Sequence, residues 1–184
     1  YAEAFTWKGH PLYASVVDET ITFVQRELMS DKYGFYSALD ADSEGIEGKF
    51  YSFTKAEITE ILGDDAELFC IYYNATEDGN WDEEHPNVFF RRETDEALAQ
   101  QLGLSAEELQ ANIIRSKAKM LAARAKRVRP GLDNKILASW NGLMLKGLCD
   151  AYRAFNKPEH LDLALKNAGF IYQYLIDANG NMKR

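Results

Sequence analysis

A mainly α-helical fold, built from repeated helix pairs and interrupted by a short β-hairpin, is predicted by three features of the sequence. Apolar residues recur at spacings of three and four along most of the 184 residues, two capping boxes mark helix starts, and the two ends of the chain carry similar patterns. Pro11 stands where a first-turn proline is tolerated, and Leu12, Val16, Val17, Thr20, Phe23, Val24 and Leu28 follow at helical spacing, which predicts a helix over 11–29. The segments 35–38 (Phe-Tyr-Ser-Ala) and 50–53 (Phe-Tyr-Ser-Phe) are aromatic and β-prone. They predict paired strands joined by the Gly-containing loop between them, a hairpin insertion over about 34–54.

Thr54 with Glu57, and Ser105 with Glu108, fit the capping box, in which a hydroxyl and a later carboxylate satisfy opposite free backbone N–H groups. Helices over 55–62 and 106–126 follow from them. Further helices are predicted at 64–73, 95–102, 135–155 and 158–176, with Gly63 and Gly103 at left-handed C-terminal caps. Residues 76–94, with Asp78-Gly79-Asn80 and His85-Pro86-Asn87, read as loop with one extended segment.

The repeat is short but ordered. Tyr1–Phe5, a polar loop, a helix and a Gly-containing loop recur as Ala151–Phe155, a loop, a helix and Asn179-Gly180-Asn181. Helix pairs that cannot bury their apolar faces alone stack into a solenoid or close into a ring, and two copies do not separate these outcomes.

Composition narrows the function classes. No apolar run approaches the roughly 20 residues of a membrane span. A net charge of −8 excludes the cation excess that a duplex-binding surface needs, so neither nucleic acid nor membrane is an expected partner. Cys70 and Cys149 are too few for a disulfide framework, form no CxxC pair, and are expected as buried thiols. With Tyr1 first and no charged-then-apolar leader, the chain reads as an excised segment, and a cytoplasmic location is the expectation.

The densest chemistry lies in Asp40, Asp42, Glu44 and Glu47, four carboxylates within eight residues. Their mutual repulsion calls for a cation, a basic partner or a bound polyhydroxy ligand. A calcium loop fits the alternating acids and Gly45 but fails at its twelfth position, which is Tyr51 instead of a bidentate Glu; no metal and no cofactor is expected. A carbohydrate site uses one carboxyl as proton donor and another as base or nucleophile. Asp40, Asp42 and Asp133 are then the catalytic candidates. Glu44, Glu47, Lys135 and Asn141 are polar ligand contacts, and Tyr36, Tyr51 and Trp140 offer flat faces to a sugar ring. The competing reading gives Asp40, Asp42 and Glu44 to turn hydrogen bonds and ion pairs, and the aromatic rings to the core.

In the segment 133–144, Asp133 is read as capping a helix that begins near Asn134, with Trp140 and Asn141 about two turns further along, facing one space. Asn141 beside Gly142 is locally unfavourable in a helix interior, which marks either function or close helix contact through Gly142 with Asn141 satisfying a buried backbone group. The basic run from Arg115 to Arg129 reads as a solvated helix face, with the alternative that Arg127 and Arg129 reach the acidic loop. His10, His85 and His160 have no metal spacing and read as loop or cap residues.

Residues 34–54 (GFYSALDADSEGIEGKFYSFT), the basic run ending at Arg127 and Pro130, and residues 133–144 (DNKILASWNGLM) resemble the spermatogenesis-associated thioredoxin-domain family. Members carry an N-terminal thioredoxin-like domain followed by an (α/α)-barrel similar to those of six-hairpin glycosidases and N-acylglucosamine epimerases. The resemblance implies that this chain is the central portion of such a barrel, a partial toroid of helical hairpins, with both motifs facing its pocket and the thioredoxin-like domain outside it. The family's Gly-Asn-Phe-Glu element is matched here as Gly79-Asn80-Trp81-Asp82, with a larger ring and a shorter acid. The expected partners are a sugar or sugar-derivative ligand, the rest of the barrel and the thioredoxin-like domain. Two functions are expected in competition: a carbohydrate-active site, and a non-catalytic protein- or peptide-binding module serving that domain.

Overall fold

A computed structural model describes residues 1–81 and 86–183. In chain order the elements are α1 (Ala2–Lys8), α2 (Pro11–Glu27), β1 (Ala38–Leu39), β2 (Asp42–Ser43), β3 (Ile46–Glu47), α3 (Lys55–Leu62), a 3-10 turn (Gly63–Asp65), α4 (Ala66–Tyr73), α5 (Asp95–Leu102), α6 (Ala106–Arg124), β4 (Leu132–Asp133), α7 (Ala138–Phe155), α8 (Pro158–Phe170) and a π turn (Ile171–Leu175). The chain is mainly helical, with only two-residue strands. It forms two compact units: Tyr1–Leu39 with Leu132–Arg184, and Asp40–Gly131. Asp82 and His85, both singled out in the sequence, lie outside the described residues.

The first unit packs α1, α2, α7 and α8 around Ile21, Phe35, Leu148, Ala151, Leu163 and Ala164. Leu148 and Ala151 are completely buried. The short side chains of Ala151 and Ala164 let helix backbones approach closely while the branched residues fill the remaining volume. β1 and β4 pair antiparallel, Ala38 opposite Asp133 and Leu39 opposite Leu132.

This unit contains a repeat with a constant offset, and the offset differs from the alignment read in the sequence. Gly9 (φ 64°) ends α1 and Asn156 (φ 52°) ends α7, each two residues before a helix-opening proline, Pro11 or Pro158. Each second helix leads to a strap closed by an isolated bridge, Met29 with Phe35 and Ile176 with Met182. The straps share their backbone bonds. Ser30 N donates to Gly34 O at 2.8 Å and Tyr36 N to Leu28 O at 2.8 Å; Asp177 N donates to Asn181 O at 2.9 Å and Lys183 N to Leu175 O at 2.8 Å. Sequence reading aligned Phe5 with Phe155, whereas the rings of those two residues pack against each other at 4.7 Å.

The second unit has an aromatic core. Phe53, Ile58, Leu62, Phe69, Cys70 and Met120 form one cluster, Tyr72, Leu98, Leu109 and Ile113 another. Phe89 stacks on Phe53 and meets Phe69 edge-on. Both capping boxes are formed, at Thr54–Glu57 and Ser105–Glu108. Gly103 is a left-handed cap, but Gly63 (φ 58°, ψ −125°) leaves that region and opens the 3-10 turn.

Four expectations are corrected. The segments around Phe35 and Phe53 do not pair with each other: Phe35 bridges Met29 and Phe53 bridges Asn87. The hairpin is instead tight and lies inside the acidic stretch, β2 with β3, Asp42 opposite Glu47. Its loop residues Glu44 (φ 55°) and Gly45 (φ 78°) are both left-handed, which suits the twist of a two-residue hairpin turn. The helix expected from 135 begins at Ala138, because Asp133 belongs to β4, and Leu137, not Asp133, occupies the N-cap. The helix expected to run to 176 widens into a π turn after Phe170. Cys70 is buried as expected, but Cys149 is exposed.

Candidate functional site

The acidic hairpin and the end of the basic run enclose a pocket of about 430 Å³ within the second unit, lined by Glu44, Glu47, Lys49, Glu57, Lys126 and Arg127 among others. Its geometry starts from the hairpin. Ser43, buried, donates its hydroxyl to Val128 O at 2.6 Å, and Asp40 N donates to Gly131 O at 2.7 Å, so the irregular segment after α6 holds the hairpin from one side. Lys49 Nζ lies 2.9 Å from Glu44 Oε2, offsetting part of the carboxylate repulsion.

Arg127 is the anchor of the pocket wall. Its Nη1 donates to Lys49 O at 2.8 Å and Ser52 O at 2.6 Å, its Nη2 lies 2.6 Å from Glu57 Oε1, and its guanidinium sits 3.8 Å over the Phe53 ring. A planar five-donor cation can make all of these contacts at once; an ammonium cannot. Glu57 is equally committed, since its other oxygen accepts from Thr54 N at 2.8 Å in the capping box. Glu57 and Arg127 therefore build the wall. Among the described residues, the side chains of Glu47 and Lys126 have no hydrogen-bonding or ionic partner, which leaves one acceptor and one donor of opposite charge for a ligand.

The predicted site residues divide between the units. Asp40, Asp42, Glu44, Glu47 and Tyr51 belong to the second. Asp40 Oδ1 accepts from Asp42 N at 3.3 Å, a local turn bond, and both carboxylates are exposed. Tyr51 meets Phe50 edge-on, and the Arg124 guanidinium lies over both rings. Tyr36, Asp133, Lys135, Trp140 and Asn141 belong to the first unit. Lys135 Nζ pairs with Asp133 Oδ2 at 3.1 Å, and the Lys135 ammonium holds that carboxyl below the usual range. Tyr36 is half-buried.

Trp140 and Asn141 do not share a space. Consecutive helix residues point about 100° apart, so Trp140 is 52% exposed while Asn141 is completely buried. Asn141 accepts from Phe35 N at 2.8 Å and donates to Phe35 O and Leu137 O, each at 3.0 Å. Asn167, also completely buried, donates to Tyr33 O at 2.8 Å and to Asn141 Oδ1 at 3.3 Å. These two amides clamp the Met29–Phe35 strap. An Asn within a helical stretch was the signal that pointed to Asn141; the same signal stood at Asn167, inside α8 and shortly before Gly169, and was missed. In the alternative reading of the basic run, Arg127 and Arg129 reach the acidic loop; Arg127 instead reaches Lys49, Ser52 and Glu57, which follow that loop. Among the described residues no group of three or more His, Cys, Asp or Glu is placed to hold a metal ion, and no helix is long and apolar enough to cross a membrane.

No family model matches the chain. It is similar to an uncharacterised protein of Caenorhabditis elegans, 33% identical over 97% of this chain and 27% of that protein. It is also similar to spermatogenesis-associated protein 20 of Mus musculus, 31% identical over 100% of this chain and 26% of the relative, and to that of Homo sapiens, 29% identical over 100% and 27%. The chain thus spans about a quarter of the length of the curated relatives it matches. Homologues named spermatogenesis-associated protein 20, at about 30% identity, cover this chain in full and support that family.

Proposed function

We propose that this chain is the central portion of an (α/α)-barrel of the spermatogenesis-associated thioredoxin-domain family, and that the pocket beside its acidic hairpin takes a sugar or sugar derivative. The observation that carries the reading is the mixed-charge lining: Glu47 and Lys126 stand ready beside a wall whose own charges are satisfied by Arg127 and Glu57. Hydroxyl groups donate to carboxylates and accept from ammonium, so a polyhydroxy ligand can satisfy both. The constant-offset helix pairs support the barrel, because the second pair leaves Leu165 and Tyr172 exposed for a neighbour to cover.

Glu47 binds in this reading, and Asp40 or Asp42 supplies acid–base capacity if the ligand is turned over. The test is a thermal-shift panel of sugars and sugar phosphates against the 184-residue chain, because a ligand specific for the native state raises the melting temperature. A sugar that raises it for the wild type, but not for Glu47→Gln or Lys126→Ala, supports the proposal; no shift with any member sinks it. With a binding sugar in hand, Asp42→Asn should retain binding and lose turnover. Full turnover in that variant makes Asp42 a turn residue.

One observation favours the binding-module reading. Trp140 and Leu143, 52% and 69% exposed, lie one turn apart on α7. An apolar pair of this kind suits a protein contact, with the thioredoxin-like domain or its client as the candidate occupant.

A further inference from the structure

We infer that the strap Ile176–Lys183 is a docking edge for a further helix pair, which grips it through a buried side-chain amide as α7 and α8 grip the strap Met29–Tyr36. The inference builds on the helix-pair repeat, not on the sugar pocket. In the first copy, a strap that follows a helix pair is completed by the next pair in the same unit. Asn141 of α7 takes both the N–H and C=O of Phe35, and Asn167 of α8 takes the C=O of Tyr33.

The second strap has the same backbone. Besides the shared bonds already given, Tyr33 N donates to Ser30 O at 2.9 Å and Gly180 N to Asp177 O at 3.0 Å. Gly34 N donates to Ser30 Oγ at 3.0 Å, and Asn181 N donates to Asp177 Oδ1 at 2.8 Å. Tyr33 and Gly180 are both left-handed, at φ 66° and 83°. The residue equivalent to Phe35 is Met182. Among the described residues, nothing answers the N–H or C=O of Met182 or the C=O of Gly180.

Burial follows the same division. Phe35 is 5% exposed under its clamp, and Met182 is 57% exposed. Tyr172 and Leu165, on the segment leading to this strap, are also exposed. A second copy of this chain is a poor occupant, because its Asn141 and Asn167 are already engaged with its own strap. The relatives are about four times as long as this chain, which leaves ample sequence for a following pair.

The test is residue-resolved amide hydrogen exchange on the 184-residue chain and on a polypeptide of the relatives' length that carries it. The Phe35 amide should exchange slowly in both. The Met182 amide should exchange rapidly in the shorter chain and at least about a hundredfold more slowly in the longer one, reflecting an added buried hydrogen bond. Met182→Asp should lower the melting temperature of the longer polypeptide and leave that of the shorter one unchanged. Equal Met182 exchange in both, or a reading frame that closes before a helix pair could follow, overturns the inference. So does protection in the shorter chain that grows with protein concentration, which assigns the edge to self-association.

Discussion

The two units fasten their irregular segments by opposite means. In the first, the strap is held by neutral amides, Asn141 and Asn167, both completely buried. In the second, the segment 49–57 is held by Arg127, a cation at the wall of a pocket, working with the Glu57 carboxylate. A buried neutral amide is expensive to lose, because its partners are left dry and unpaired. A partly exposed charge is cheaper to lose, because water enters behind it, but it can also meet a ligand. The first device suits a fixed scaffold and the second a site.

The largest effect expected from this contrast is at Asn141. Asn141→Leu leaves the N–H and C=O of Phe35 buried without partners, and it should cost about 3 kcal/mol of stability at roughly 1–3 kcal/mol per stranded group. Chemical denaturation measures it. A loss below about 1 kcal/mol would mean that water already reaches the strap, and the contrast between the units would fail. Asn141→Asp sets a buried carboxylate against the carbonyls of Phe35 and Leu137, so at neutral pH it should cost at least as much as Asn141→Leu.

Arg127→Lys should cost less, about 1 kcal/mol, since one ammonium cannot replace contacts to two carbonyls and a carboxylate, yet solvent can. The comparison is sharpest in amide exchange. The Phe53 amide, bonded to Asn87 O, should speed up while the Phe35 amide stays unchanged. If both amides respond together, the units are not separately fastened.

The smallest effect concerns pH. Asp65 accepts from Arg115 at 2.8 Å and from Lys119 at 3.1 Å, and these cations, Arg115 first, hold its carboxyl far below the usual range. A depressed native value means stabilisation that is complete above the unfolded value of about 4 and is lost as pH falls through the native one. Asp65→Asn should therefore flatten the loss of stability below pH 4, modestly, because the cluster is wet. Unfolding midpoints between pH 6 and 2 that coincide in shape for the variant and the wild type would remove Asp65 from the account.

Most of the helical frame could be read directly. The spacing of Val16, Val17, Thr20 and Val24 and the two capping boxes located α2, α3 and α6, because these signals are local and no tertiary contact opposes them. The strands were misjudged for the opposite reason. Phe35 and Phe53 are β-prone, but such a preference does not specify a partner; Met29 and Asn87 provide one in each case, and the sequence does not say so. The Glu44-Gly45 turn was readable only as acidic density, since nothing local sets the register of Asp42 against Glu47. Arg127 was visible as one cation in a run of seven, and its position past the end of α6, shared with Lys126 and Arg129, does not single it out.

The pairing of Leu39 with Leu132 fixes an order of events while the polypeptide is being made. The unit Asp40–Gly131 is contiguous, so it can complete itself as soon as its last helix leaves the ribosome. The first helix pair cannot. Phe35 waits 106 residues for Asn141, and Tyr33 waits 134 for Asn167. Long loop closures are slow, and this one becomes shorter in effect only after the intervening unit has folded and brought its own ends together. The inserted unit thus serves the scaffold as a splint, and a lesion that delays its folding should appear first as aggregation through the still unclamped α1–α2 pair.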